Sequence, residues 1–117
     1  MLVVPAQSIK IPSDFAIVVD SMTDSNGNAI DISTAFIGFK FYCNGKTYNC
    51  VSDPQGGNSI NTKIVNGELW LLFEDYPFDS TGFLSYVQHD RVVDDKFESG
   101  YNDTYSALEQ TKIRLVR

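Results

Sequence analysis

Between Phe36 and Val51 two apolar, β-favouring runs meet at Asn44-Gly45. Both residues tolerate positive φ, which a two-residue type I′ turn needs at its two central positions, and that turn has the twist of the strands it joins. The spacing predicts a hairpin with Cys43 opposite Lys46, Phe41 opposite Tyr48 and Phe39 opposite Cys50, since antiparallel partners keep a constant index sum. Period-2 alternation then puts Ile37, Phe39, Phe41, Cys43, Tyr48 and Cys50 on a core face. Lys40, Tyr42, Thr47 and Asn49 fall on a wet one.

A second pair, Asn66-Gly67, separates Ile60 to Val65 from Glu68 to Glu74, setting Val65 against Glu68 and Ile64 against Leu69. Ile60, Thr62, Ile64, Leu69, Leu71 and Phe73 share the core side of this hairpin, which leaves Trp70 and Leu72 outward. An outward Trp-Leu pair requires a covering segment or subunit, or else a shifted register.

The remaining chain reads as more of the same. Phe15, Ile17 and Val19 alternate with Asp14, Ala16, Val18 and Asp20 in a first strand, which the turn residues of 24–28 interrupt. Ile30 and Ile32 resume the alternation before a short turn at Ser33-Thr34-Ala35. The breakers of 52–58 predict a mobile loop. Turns at 75–77 and 79–82 bracket Phe78, and Phe83 to His89 alternates again, with either Leu84 and Tyr86 or Phe83 and Val87 inward. Arg91 to Asp103 reads as a long polar connection pinned by Val92, Val93 and Phe97, and Tyr105 to Glu109 as a helical turn or the start of a strand. Thr111 to Val116 closes the chain as a strand with Ile113 and Leu115 inward. Apolar residues nowhere recur at helical spacing over three turns, while strands return about every 8 to 12 residues, the pattern of an all-β antiparallel sandwich or barrel. About seven strands and a single domain over residues 1–117 are expected.

Charge narrows the function classes. At −6 and a pI near 4.5 the chain repels phosphate backbones, and no Lys or Arg run forms a local exception, so nucleic acid is not an expected partner. The apolar opening Leu2-Val3-Val4 stops at Pro5 without a preceding basic residue. It is too short for a signal-peptide core or a membrane span, so synthesis in the cytosol, no signal peptide and no membrane association are expected. Cys43 and Cys50 lie four strand positions apart in the hairpin register, more than ~10 Å, where a disulfide needs less than about 7 Å. Two free, inward thiols follow.

No motif carries chemistry. Asp24, Asn26 and Asn28 have the two-residue spacing of a calcium loop, but Gly27 stands at the fourth position and Ala35 where the bidentate Glu would be, which leaves a turn. His89 is the single histidine; Ser85 or Ser106 could complete a triad only without any marked nucleophile. Glu74-Asp75 and Asp94-Asp95 lie beside turn residues, as solvated loops do, and Asn102-Asp103-Thr104 is a glycosylation sequon that matters only on a eukaryotic secretory route. No catalytic residue, metal or cofactor is expected. The aromatics Tyr42, Trp70, Tyr76, Tyr101 and Tyr105, with Leu72, could anchor a protein interface or stack on sugar rings, and burial against a partner chain is the favoured reading.

The run SDFAIVVDSMTDSNGNAIDIS followed by FIGFKFYC resembles the N-terminal immunoglobulin-like domain of phage upper-baseplate and tail-fibre adaptor proteins, including prophage forms from gut bacteria. In that family a strand leads to a D-x-x-G-x-x-x-D-L/I turn, here Asp24, Gly27, Asp31 and Ile32, and then to an aromatic-rich strand. Leu69 to Phe73, the strand after Gly82 and Lys112 to Val116 fall where such domains place their last strands. The family's long C-terminal receptor-binding or stem region is not expected within residues 1–117. The resemblance implies an immunoglobulin-like sandwich and a non-enzymatic virion component that docks with other tail or baseplate proteins as a homo-oligomer, through Trp70, Tyr42, Leu72, Tyr76 and Tyr101. The alternative is a carbohydrate-binding module or adhesin that turns the same aromatics to glycans.

Overall fold

A computed structural model describes every residue except Met1, Val3, Asp20 and Ser25, so the outward place of Asp20 and part of the 24–28 turn lie outside the described residues. Among the described residues there is no helix. Those residues form nine strands: β1 Gln7–Lys10, β2 Phe15–Val19, β3 Ile37–Cys43, β4 Lys46–Ser52, β5 Thr62–Val65, β6 Glu68–Phe73, β7 Gly82–Val93, β8 Tyr101–Tyr105 and β9 Glu109–Val116. The larger sheet runs β1-β9-β7-β3-β4, with β8 also against β7, and the smaller sheet runs β2-β6-β5.

Both Asn-Gly pairs do what their backbone freedom allows. Asn44 and Gly45 take φ of 46° and 81°, Asn66 and Gly67 take 51° and 79°, and the strands they join pair in the expected register. Ile37, Phe39, Phe41, Cys43 and Cys50 are buried, and Tyr48 packs against the same core. They meet Ile17, Val19, Leu69, Leu71 and Phe73 of the smaller sheet in an all-β sandwich. Phe73 is the aromatic hub, its ring centroid 4.5 Å from Phe15, 5.0 Å from Tyr48 and 5.1 Å from Phe41. Both cysteines are free and buried, and burial pushes the Cys50 thiol up to about 12.

Four expectations change, and one open choice is decided. The larger sheet is mixed, because β1 pairs with β9 in parallel while the other strand pairs are antiparallel. Nine strands replace about seven: β1 and β8 are short and expose most of their residues, so neither has an alternating apolar signature. Ile60 and Ile64 are 53% and 36% exposed instead of core, since β5 is the edge of the smaller sheet and Ile60 lies outside it, bridging to Val51. Leu84 and Tyr86 are the inward set of β7, and Phe83 faces out. The connection expected over Arg91 to Asp103 is the end of β7, a turn and most of β8, paired from His89↔Tyr105 to Val93↔Tyr101. Val92, Val93 and Phe97 pin nothing there; they are 65%, 80% and 49% exposed on an arm that runs past the core.

Aspartates shape the turns. Asp24 Oδ1 accepts from the backbone N–H of Asn26 and Asn28, and Asp31 Oδ1 from that of Ser33. Asp53 Oδ1 accepts from Gly56 N, which folds the 53–59 segment on itself.

Candidate functional site

Alternation fixes what the outer face of the larger sheet displays. On β7, Phe83, Ser85, Val87, His89 and Arg91 point away from the core that Leu84, Tyr86 and Gln88 enter. The register sets Tyr42 beside Ser85, Lys40 beside Val87 and Gly38 beside His89. On the other flank His89 meets Tyr105, Arg91 meets Asp103 and Val93 meets Tyr101.

These neighbours form a continuous row. The Tyr105 ring stacks on His89 at 4.4 Å and 20°, and Phe36 meets the other side of the imidazole edge-on at 4.9 Å. The Arg91 guanidinium lies 4.3 Å from the Phe36 ring and 4.7 Å from that of Tyr101. Asp103 ties the row together from β8, its Oδ1 2.7 Å from Arg91 Nε and 3.1 Å from His89 Nε2. The Arg91 hydrogen bond holds the Asp103 carboxyl below the usual carboxylate range, and the same bond raises Arg91.

Two shallow clefts flank the row. One, of about 340 Å³, runs over Gly38 between Tyr42, Val51, Val87 and Tyr105. Its floor depends on the missing side chain, since a Cβ at Gly38 would come within 3.1 Å of His89 Cβ. The other, of about 490 Å³, lies between Arg91, Tyr101 and Phe36 and the Asp53–Gly56 turn.

Of the expected contact residues, only Tyr42, Tyr101 and Tyr105 share this face, and Tyr42 is half-buried. Trp70 and Leu72 are outward on β6 of the other sheet in the unshifted register, beside Val18 and Ala16 of β2. Both are half-buried, and Trp70 Nε1 is enclosed without a hydrogen-bond acceptor. Trp70 and Tyr42 therefore cannot belong to one patch. Tyr76 stands in the turn after β6, 63% exposed, its N–H directed at Asp14 Oδ1. Sequence reading missed Phe36, His89 and Arg91 as members of the row. Positions 89 and 91 continue the outward set of β7, and following that alternation past the charged residues would have found His89 and Arg91.

His89 is held between two rings and a carboxylate, while Ser106 Oγ, one of the two candidate serines, accepts from Gln88 N and donates to Ala107 O. Among the described residues no three His, Cys, Asp or Glu side chains gather as a metal would need, and no helix is long and apolar enough to cross a membrane. Comparison with known proteins finds no matching family model, no matching curated protein and no matching solved structure.

Proposed function

We propose that this chain is a non-enzymatic docking module, immunoglobulin-like in architecture, that joins other proteins and its own copies in a phage or prophage tail or baseplate. It is made in the host cytoplasm and carried in the assembled virion. The observation that carries the docking reading is the row of Tyr105, His89, Phe36, Arg91 and Tyr101 across the outer face of the larger sheet. Tyr105 and Tyr101 are 66% and 40% exposed, and Tyr and Arg are the residues on which interface energy concentrates. Their stacking holds them in place before a partner arrives, which lowers the entropy cost of binding.

Strand order supports the immunoglobulin reading. The smaller sheet β2-β6-β5 has the order B-E-D, and β9-β7-β3-β4 the order G-F-C-C′, with β1 parallel to β9 at the edge. The tail assignment rests on the resemblance of residues 13–33 and 36–43 to adaptor domains.

Light scattering on a size-exclusion column tests the docking face. The wild-type chain is expected to give a concentration-dependent mass above one chain, and the double variant Tyr101→Ser/Tyr105→Ser to return it to a monomer with unchanged far-ultraviolet circular dichroism. A wild-type monomer at every concentration, binding glycans on an array and losing them in Tyr42→Ala or Trp70→Ala, would overturn the reading in favour of a carbohydrate-binding module.

A further inference from the structure

The outer face of the larger sheet has two ends of different chemistry. Around Phe83 and Ser85, alternation and register bring out Lys112 and Arg114 of β9, Lys10 of β1 and Lys40 of β3. All four cations are exposed, and the outward positions of β1, β3, β4 and β9 include no Asp or Glu. Two of them lie near rings, Arg114 with its guanidinium 5.8 Å from Phe83 and Lys40 with Nζ 5.6 Å from Tyr42. No Lys or Arg run announces this basic end, because its cations come from three separate strands. On a chain of net charge −6 it is where another copy's acids are attracted instead of repelled.

Acid gathers at the other end. The turn between β7 and β8 carries Asp95 and Glu98, both exposed, with Lys96 and an exposed Phe97 between them. Asp94 holds the turn itself, its Oδ1 accepting from Lys96 N. Val93 and Tyr101, exposed and paired across the last strand position, add apolar surface next to these acids.

Strand order makes the two ends complementary between copies. Along one side of β7 lies β3, and along the other lie β9, from Gly82 to Tyr86, and β8, from His89 to Val93. A half-turn about an axis in the plane of the sheet, crossing β7 near His89, sets outer face on outer face with the strands antiparallel. It lays the β8 end of each copy over the β9 end of the other and leaves the aromatic rows of both in the middle. An aromatic centre with charges at its rim is the anatomy of a specific interface, and a two-fold contact closes on itself.

We propose that the occupant of this face is a second copy of the chain, packed two-fold on the outer sheet, with the Asp95 and Glu98 carboxylates of each copy on Lys112 and Arg114 of the other. The inference rests on the docking reading, since the row is the centre of the contact, and it adds which partner sits there and in which orientation.

Sedimentation equilibrium tests it on the whole chain. The wild type is expected to follow a monomer–dimer equilibrium whose Kd rises about tenfold or more between about 0.05 M and about 0.5 M salt, as screening shortens the reach of the charges. Lys112→Glu/Arg114→Glu and Asp95→Lys/Glu98→Lys should each raise the Kd by about tenfold or more. An equimolar mixture of the two variants should recover the two-chain mass, because both of its charged contacts are again between opposite signs. A mixture that stays monomeric, a Kd that does not rise with salt, or a mass that grows past two chains overturns the proposal. The salt comparison uses the unmodified chain and does not depend on any variant folding. If these tests fail while Tyr101→Ser/Tyr105→Ser still abolishes association, the docking reading stands and this orientation falls. A wild-type monomer at every concentration ends both, and saturable binding of poly-glutamate by that monomer would assign the basic end to a foreign acidic chain.

Discussion

Asp103 shows how much one partly exposed residue can organise. From β8 it accepts from Arg91 Nε and approaches His89 Nε2, so a single carboxylate fixes two members of the aromatic row on β7. Its depressed pKa has a definite consequence for stability. A carboxyl whose folded pKa lies below its unfolded value stabilises the fold above the unfolded pKa, about 3.9 for Asp, and that contribution disappears as pH falls through the folded value. Because the group is close to solvent the effect is small, in the range of about 0.2–1 kcal/mol measured for exposed pairs. Asp103→Asn is therefore expected to lower the urea midpoint modestly near pH 7, with the gap to wild type closing below about pH 4. A gap of constant size across that range would mean that the side chain acts through shape and not through charge.

At the scale of elements, β8 differs from every strand that contributes to the core. Four of its five residues are exposed, and it pairs only with β7 from His89 to Val93, of which Arg91 to Val93 lie beyond the pairing with β3. What holds it is the stack of Tyr105 on His89, the Arg91 contact to Tyr101 and the Asp103 bonds, with no buried apolar side chain of its own. Local opening is easiest where little apolar surface is lost. Native-state hydrogen exchange should therefore show amides of residues 101–105 exchanging well before those of β3 and β6, and equal protection in β8 and β3 would contradict this account. The same physics explains what the sequence could reveal. The β3–β4 and β5–β6 hairpins were legible down to their register, because Asn-Gly dictates the turn and buried alternation dictates the face. The strand β8 was not, because ring stacking and shared charges across strands leave no period-2 apolar signal. The strand β1 was hidden for a related reason, since Ile9 is its single side chain packed against the core. The candidate face was half legible: Tyr42, Tyr101 and Tyr105 were in view, but that they share a sheet face with Phe36, His89 and Arg91 while Trp70 does not depends on long-range pairing.

For the molecule as a whole, the question is what closes the larger sheet. The β9 strand has β7 on one side and only the four residues of β1 on the other, continued by the Ile11 N–H donating to Val116 O. The same segment inserts Leu2 and Ile11, 7% and 4% exposed, into the common core, and the Leu2 N–H donates to the Tyr86 hydroxyl. It thus fills the interior and covers a strand edge at once, and the two roles can be separated. Removing residues 1–12 withdraws two buried apolar side chains, about 1.5–3 kcal/mol each, from a fold whose total stability is about 5–15 kcal/mol. It also bares the backbone of β9, whose alternating apolar face makes an open template for another chain. Such a variant is expected to lose a large part of its urea stability and to form β-rich aggregates whose scattering grows with time. The double substitution Leu2→Ala/Ile11→Ala empties the same core positions but keeps β1 in place, so it should match the stability loss without the aggregation. If the double variant aggregated as fast as the truncated chain, lost stability alone would account for aggregation and β1 would not be an edge guard. If the truncated chain stayed clear while destabilised, β9 would be protected by something other than its parallel partner.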